Sequence, residues 1–253
     1  MVILDTNTID GKQLRDVMIN GDGYCLLTNH GIGNDMISSA FHAAKMYHSL
    51  PLESKMIMKH KGDFIGYQPM DAHINHAIGR VDDEKLLPNR NESVFFKRID
   101  NIWPENMPEF REIIESMANA LEQLSQRMVI AYSDMLGVSL AQYFPKPLYY
   151  TLRLTRYPQM IERDPGQYGL AGHRDTSFFT LLCQDGIQGL SVRNRLGQWH
   201  DVPGDTDKIV LVSGLQAHNA TYKEIVAAPH RVVGKLERYA MPFFVMAENL
   251  TSL

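Results

Sequence analysis

Hydrophobic positions change their spacing part-way along the chain. Up to about residue 140 they recur every three or four residues, so this half reads mainly as helices. Met36, Ile37, Ala40, Phe41, Ala44 and Tyr47 share one face of a segment that Gly33-Asn34-Asp35 opens and Pro51 stops. A longer run, Phe110, Ile113, Ile114, Met117, Leu121, Leu124, Met128, Ala131 and Met135, starts behind Pro108 and ends at Gly137, which predicts a long helix with one buried stripe. From Leu148 the pattern shifts to short segments rich in β-branched and aromatic residues: LYYTLRLTRY, SFFTLLCQ, GLSVRN, KIVLVSG, HRVV and RYAMPFFVM. Each is bounded by Gly, Pro, Asp or Asn, which predicts strands of a barrel or sandwich. The stretch from about Gln68 to Asn91, with His73 and His76, is polar and lacks periodicity. It reads as a surface loop, with a cover over a site as the alternative.

Composition narrows the class. With 253 residues, 44% of them hydrophobic, the chain can bury a real core in one large domain or two small ones. A net charge of −4 gives no general attraction to phosphate backbones, so nucleic acid is not the expected partner. Cys25 and Cys183 are far apart and match neither a disulfide framework nor a thiolate zinc site, so both are expected to be reduced core residues. The first residues place acids where a secretory signal needs a basic patch and an apolar run, and no segment approaches the roughly 20 apolar residues of a membrane span. A soluble, cytoplasmic protein with no membrane partner is expected.

Candidate chemistry lies in the β-rich half. AGHRDTSFF sets His173 and Asp175 two apart, on one face if the segment is a strand. About 0.7 such pairs arise by chance in a chain of this composition, so the pair needs a third ligand. His230, 55 positions after Asp175 in AAPHRVV, can supply it. Two imidazoles and one carboxylate leave open metal positions, as in non-haem Fe(II) enzymes, whereas structural zinc sites close theirs with four ligands. On spacing alone, a strand histidine satisfied in the core is the slightly favoured explanation of His230. His200, after Trp199, is expected in an exposed turn. His218, on an expected strand after Gly214, is a core or surface residue, or a substrate contact. Gly31, Gly66 and Gly189 read as turn residues.

The order HRDTSFFTLLCQD, GIQGLSV, GQWHDVP, KIVLVSG, PHRVV, ERYAMPFF resembles the Fe(II)/2-oxoglutarate-dependent dioxygenases of the isopenicillin N synthase-like group. TLRLTRYP is similar to the strand that precedes the family's HxD. GYCLLTNHGI, YHSLP and Lys55 are similar to its N-terminal region, so the likeness covers nearly the whole chain. It implies that His173, Asp175 and His230 ligate iron, that Arg238 pairs with the distal carboxylate of 2-oxoglutarate, and that Tyr157 donates its phenol to the same cosubstrate. Thr155, where plant members often carry Asn, joins the implied cofactor-binding set. The family's RxS serine is here Ala240, a loss of about 1.5–3 kcal/mol for a hydrogen bond to a charged group, and its Gly-Asp after the G-x-W is Gly214-Leu215.

The resemblance implies a mainly β fold with flanking helices: a double-stranded β-helix (jelly-roll) barrel over residues 146–253, with residues 1–145 as a helical region packed on it. It implies Fe(II), 2-oxoglutarate and O₂ as cofactors and hydroxylation, desaturation or cyclisation of a small-molecule C–H bond, with release of succinate and CO₂. Two alternatives remain at this stage: an Fe(II) oxidase of the same fold that needs no 2-oxoglutarate, for which Ala240 is the motive, and a non-catalytic metal- or ligand-binding barrel.

Overall fold

Two β-sheets face one another, and helices cover the outer face of the larger. The computed structural model describes residues 1–60, 62, 64–70, 81, 87–162 and 164–253. His73 and His76 lie outside the described residues. In chain order the elements are β1 (Ile3–Asp5), α1 (Gly11–Met18), β2 (Tyr24–Thr28), α2 (Asn34–His48), α3 (Leu52–Met56), β3 (Gly66–Gln68), β4 (Glu92–Phe96) and α4 (Pro108–Leu136). They continue with β5 (Tyr149–Tyr157), β6 (Leu170–His173), β7 (Phe179–Gln184), β8 (Leu190–Arg193), β9 (Trp199–Asp201), β10 (Ile209–Ser213), α5 (Leu215–Ala220), β11 (His230–Val232) and β12 (Arg238–Met246).

The larger sheet runs β1-β2-β10-β7-β12-β5-β4-β3 and the smaller β6-β11-β8-β9. Both long helices form where the spacing predicts. Pro108 starts α4 with no amide to leave unpaired, and Gly137 ends it in the left-handed region at φ 68°. The stripe from Phe110 to Met135 is buried apart from Ile113, which is half-buried. The half before residue 140 is less helical than its periodicity suggests. It also supplies β1 to β4, which extend the larger sheet at both ends; strands of three to five residues are too short to show a period.

Both faces of the larger sheet are covered, so each strand divides by parity. Leu152 and Leu154 of β5, Leu181 and Cys183 of β7, and Met241 and Phe243 of β12 pack with α2 and α4 in one core cluster. The alternate positions, Tyr157, Leu182 and Ala240, meet Leu190, Val192 and Val232 of the smaller sheet in a second cluster. Arg153, Thr155, Thr180, Gln184 and Arg238 share this inner parity. Polar residues on an otherwise apolar inner face mark where the site lies.

Candidate metal and cosubstrate site

Register brings the two histidines together. His173 is the last residue of β6 and His230 the first of β11, and the two are direct cross-strand partners with ring centroids 4.3 Å apart. Asp175 lies past the end of β6, in the link to β7, rather than on the strand shared with His173. Its Oδ1 nonetheless stands 3.5 Å from Nε2 of each histidine, and one ligand atom from each residue lies within 4.8 Å of the others. A link that turns inward does what a shared strand face was expected to do. No other such trio occurs among the described residues.

Each ligand is held from behind. His173 Nδ1 is 2.9 Å from the Ala171 carbonyl and His230 Nδ1 is 3.0 Å from that of Ala228. Nδ1–H donation to a carbonyl leaves each Nε2 lone pair facing the cluster. Asp175 Oδ2 accepts from Thr180 Oγ1 at 2.6 Å, which leaves Oδ1 free. The link itself is pinned by the Leu215 amide on the Asp175 carbonyl at 2.7 Å, beside Gly214, where a Cβ would stand 2.0 Å from the Ser177 carbonyl. Burial alone would raise the Asp175 carboxyl, but the electrostatic influence of the two adjoining imidazoles, His230 foremost, outweighs it and holds the carboxyl well below its usual range. Burial and the neighbouring His230 lower His173. Burial also acts to lower His230, and Asp175 more than offsets it, so His230 is raised. Two imidazole nitrogens and one carboxylate oxygen on one side suit a divalent metal with open coordination positions.

A narrow cavity of about 40 Å³ leads from the three ligands to Arg238, past Tyr157, Leu182 and Ala240. Arg238 is the first residue of β12, opposite Tyr157 on β5, with its guanidinium carbon 5.3 Å from the Tyr157 ring centre. It is 1% exposed, yet its one side-chain hydrogen bond among the described residues is a 3.4 Å contact from Nη2 to Gln184 Oε1, and Nε and Nη1 are buried without partners. Burial pulls its pKa below the ordinary arginine value. Two sealed, unpartnered donors on a planar fork are the complement of a carboxylate. Gly189, expected as a turn residue, has no unusual φ; a Cβ there would stand 2.9 Å from Arg238 Cδ, so the absence of a side chain makes room for the guanidinium.

Residues 140–247 match the family model of the 2OG-Fe(II) oxygenase superfamily, and residues 11–106 match that of the non-haem dioxygenase in morphine synthesis N-terminal region. A 2-oxoglutarate-Fe(II) type oxidoreductase of Aspergillus fumigatus is 31% identical over 92% of this chain and 75% of its own. The chain belongs to the 2OG-Fe(II) oxygenase superfamily. The 2-oxoglutarate-dependent dioxygenase caaD of Aspergillus niger is 28% identical over 88% of this chain and 73% of its own. Among solved structures, a full-length Neurospora crassa protein in complex with alpha-KG superposes with a TM-score of 0.85 at 21% identity, covering 97% of this chain and 84% of that one. A 2OG-Fe(II) oxygenase family protein from Caulobacter crescentus gives 0.82 at 22% identity, covering 100% and 89%. The fold is thus the mainly β jelly roll, and the activity is that of an Fe(II)- and 2-oxoglutarate-dependent dioxygenase acting on a small molecule.

Arg238 and Tyr157 both line the narrow cavity that His173, Asp175 and His230 border. Thr155 is fully buried between Arg153 and Tyr157 on the same face of β5, and its Oγ1 accepts from Ser93 Oγ at 3.2 Å. His200 is exposed, on β9 rather than in a turn, beside Asn194 Nδ2 at 2.9 Å. His218 sits on α5, where a strand was expected, and its Nδ1 is 2.6 Å from the Ile225 carbonyl; it borders neither cavity of the site. A wider cavity of about 340 Å³ opens on the other side of His173 and Asp175, with Gln68, Asn89 and Asn91 on its wall. The motifs do not point to Thr180, Gln184 or Arg153. The signal for these three is a polar side chain on the inner parity of an apolar strand.

Proposed function

We propose that His173, Asp175 and His230 ligate Fe(II), that Arg238 and Tyr157 hold the distal carboxylate of 2-oxoglutarate, and that Thr155 backs this pocket from β5. In this reading a small molecule occupies the 340 Å³ cavity, one of its C–H bonds is oxidised, and succinate and CO₂ are released. The observation that carries it is the Arg238 guanidinium, buried at the far end of the narrow cavity with two unpartnered donor atoms. A charge left so is costly until an anion meets it. Bound iron supplies the activation of O₂. The chain's own part is to fix both imidazoles by their Nδ1 bonds, to leave one Asp175 oxygen free, to orient the cosubstrate and to exclude water with the apolar walls of Leu182, Leu190 and Val232.

Ala240 removes one hydroxyl, while Arg238 keeps the larger, charge-assisted share of the anchoring, so the reading needs no 2-oxoglutarate-independent oxidase. Residues 146–253 serve as the catalytic core and residues 1–145 as the region packed on it. Cys25 and Cys183 are free and buried, which supports a reducing, cytoplasmic setting. The net charge of −4 supports a small molecule rather than a nucleic acid as substrate.

Succinate formation from 2-oxoglutarate should require added Fe(II) and stop on chelation. Arg238→Met should raise the apparent KM for 2-oxoglutarate at least tenfold with Fe(II) affinity little changed. Unaltered cosubstrate affinity in Arg238→Met, or iron-independent turnover, would refute the assignment.

A further inference from the structure

The wide cavity carries more positive charge than its walls balance. Lys97, Arg153 and Arg174 border it, and its one acidic lining residue among the described residues, Asp175, is turned to the two imidazoles. Arg153 stands at the junction of the wide and narrow cavities and lines both. Its Nε donates to Ser93 Oγ and its Nη2 to Asn91 Oδ1, each at 2.8 Å, and its guanidinium carbon lies 5.2 Å from the Phe95 ring centre. These partners are neutral. They fix the direction of the fork without offsetting its charge, and Nη1 has no partner among the described residues. No carboxylate of the described residues forms an ion pair with Arg153 or Lys97, although Arg98 and Arg111 each have one and Arg156 has two. The rest of the wall is largely apolar, with Phe64, Tyr149, Phe244 and Met246.

We propose that the primary substrate is an organic carboxylate with an apolar body, and that Arg153 is the residue that selects it by pairing with the carboxylate, aided by the charge of Lys97. This rests on the reading that the wide cavity is the substrate site of a 2-oxoglutarate oxygenase. The buried Arg238 and the half-buried Arg153 then serve two anions: Arg238 the cosubstrate and Arg153 the substrate. An oriented fork with one free edge receives a carboxylate at little ordering cost, and the same edge would leave an amide or ester unable to neutralise it. The aromatic and thioether side chains supply affinity for the body but little selection among head groups.

The test is calorimetric titration of anaerobic, Fe(II)-loaded protein saturated with 2-oxoglutarate, so that Arg238 is already engaged. The probes are a series of phenylalkanoates from phenylacetate to 5-phenylpentanoate and their primary amides. At least one acid should bind ten times more tightly than its amide in the unaltered protein, a comparison that needs no variant. Arg153→Gln should erase that preference, and Arg153→Lys should restore part of it, because a point charge keeps the sign but not the fork. Equal binding of acids and amides, no binding by any acid of the series, or an acid preference that survives in folded Arg153→Gln would overturn the proposal. So would a loss in Arg153→Gln of 2-oxoglutarate affinity alone, which would give Arg153 to the cosubstrate. Failure of the unaltered protein to bind 2-oxoglutarate in the first titration would instead refute the reading on which the proposal rests.

Discussion

Among single residues, the site depends on side chains that touch neither metal nor cosubstrate. Thr180 holds one oxygen of Asp175 so that the other is free. Thr180→Val keeps the shape and removes the hydroxyl. Metal affinity should fall about 10–100-fold, as is usual when the partner of a ligand is lost; a dye-competition titration with Fe(II) or Mn(II) measures it, and an unchanged constant would show that packing alone orients Asp175. Gly189 acts by absence, since a methyl group there would meet Arg238 at 2.9 Å from Cδ and 3.2 Å from Nη1. Gly189→Ala should therefore displace the fork and raise the KM for 2-oxoglutarate severalfold, with the melting temperature changed far less than by a core truncation. Equal 2-oxoglutarate kinetics in the two proteins would remove Gly189 from the argument.

Among the strands and helices, β12 joins the two halves of the molecule. It lies between β5 and β7, gives Met241, Phe243 and Val245 to the helical layer, and turns Arg238 and Ala240 inward. The two layers should be separable by mutation. Leu121→Ala on α4 removes a fully buried side chain behind the sheet and should cost about 2–5 kcal/mol of stability, with the KM for 2-oxoglutarate unchanged below the melting range. Chemical denaturation and steady-state kinetics on one preparation would check both halves of this expectation. The same layering explains what can be read from the sequence. Helices α2 and α4 show one buried face and are legible, as are β5, β7, β8, β10, β11 and β12 as strands. Which face of FTLLCQ or IVLVS looks inward is not, because strands buried on both sides are apolar throughout. The metal trio is legible through its motif order, yet Asp175 reaches the histidines by a turn of the chain that HxD spacing does not encode. Gly189 reads as a turn residue because a glycine that provides clearance and one that provides a turn look identical in a sequence.

Across the molecule, a buried charge cluster ties five elements together. Glu92 on β4 is 2% exposed and receives Lys55 Nζ of α3 at 2.7 Å, the Tyr67 hydroxyl of β3 at 2.5 Å and Arg156 Nη1 of β5 at 2.9 Å. His48 of α2 stands 3.8 Å away, too far for a hydrogen bond. Burial would raise the Glu92 carboxyl, but His48, Lys55 and Tyr67 outweigh it and push it far below its ordinary value of 4.5. A folded carboxyl that binds its proton less tightly than the unfolded one stabilises the protein fully above the unfolded pKa and loses that contribution as pH falls toward the folded value. Stability should therefore drop with acid from about pH 5 downward. Glu92→Gln should cost about 3–5 kcal/mol at pH 7, because Lys55 and Arg156 lose their common counter-charge, and should flatten the acid limb of a plot of melting temperature against pH. A variant whose acid limb matches that of the unaltered protein would assign the loss to other carboxyls.

The cross-strand pairing of His173 with His230 has a mechanical consequence. β6 is the edge strand of the smaller sheet and has only β11 as a strand neighbour; on its other side Asn89 and Asn91 stand in for a strand, bonding to the Ala171 amide and the Gly169 carbonyl. An ion shared by His173, His230 and Asp175 would rivet that edge strand to its neighbour at the point where their register is otherwise irregular. Removing the ion should let the amides of residues 170–173 exchange with solvent much faster while those of β7, β10 and β12 keep the rate set by global unfolding. Hydrogen exchange would then map metal occupancy onto one seam of the barrel, and uniform protection with and without metal would show that the seam holds without its rivet.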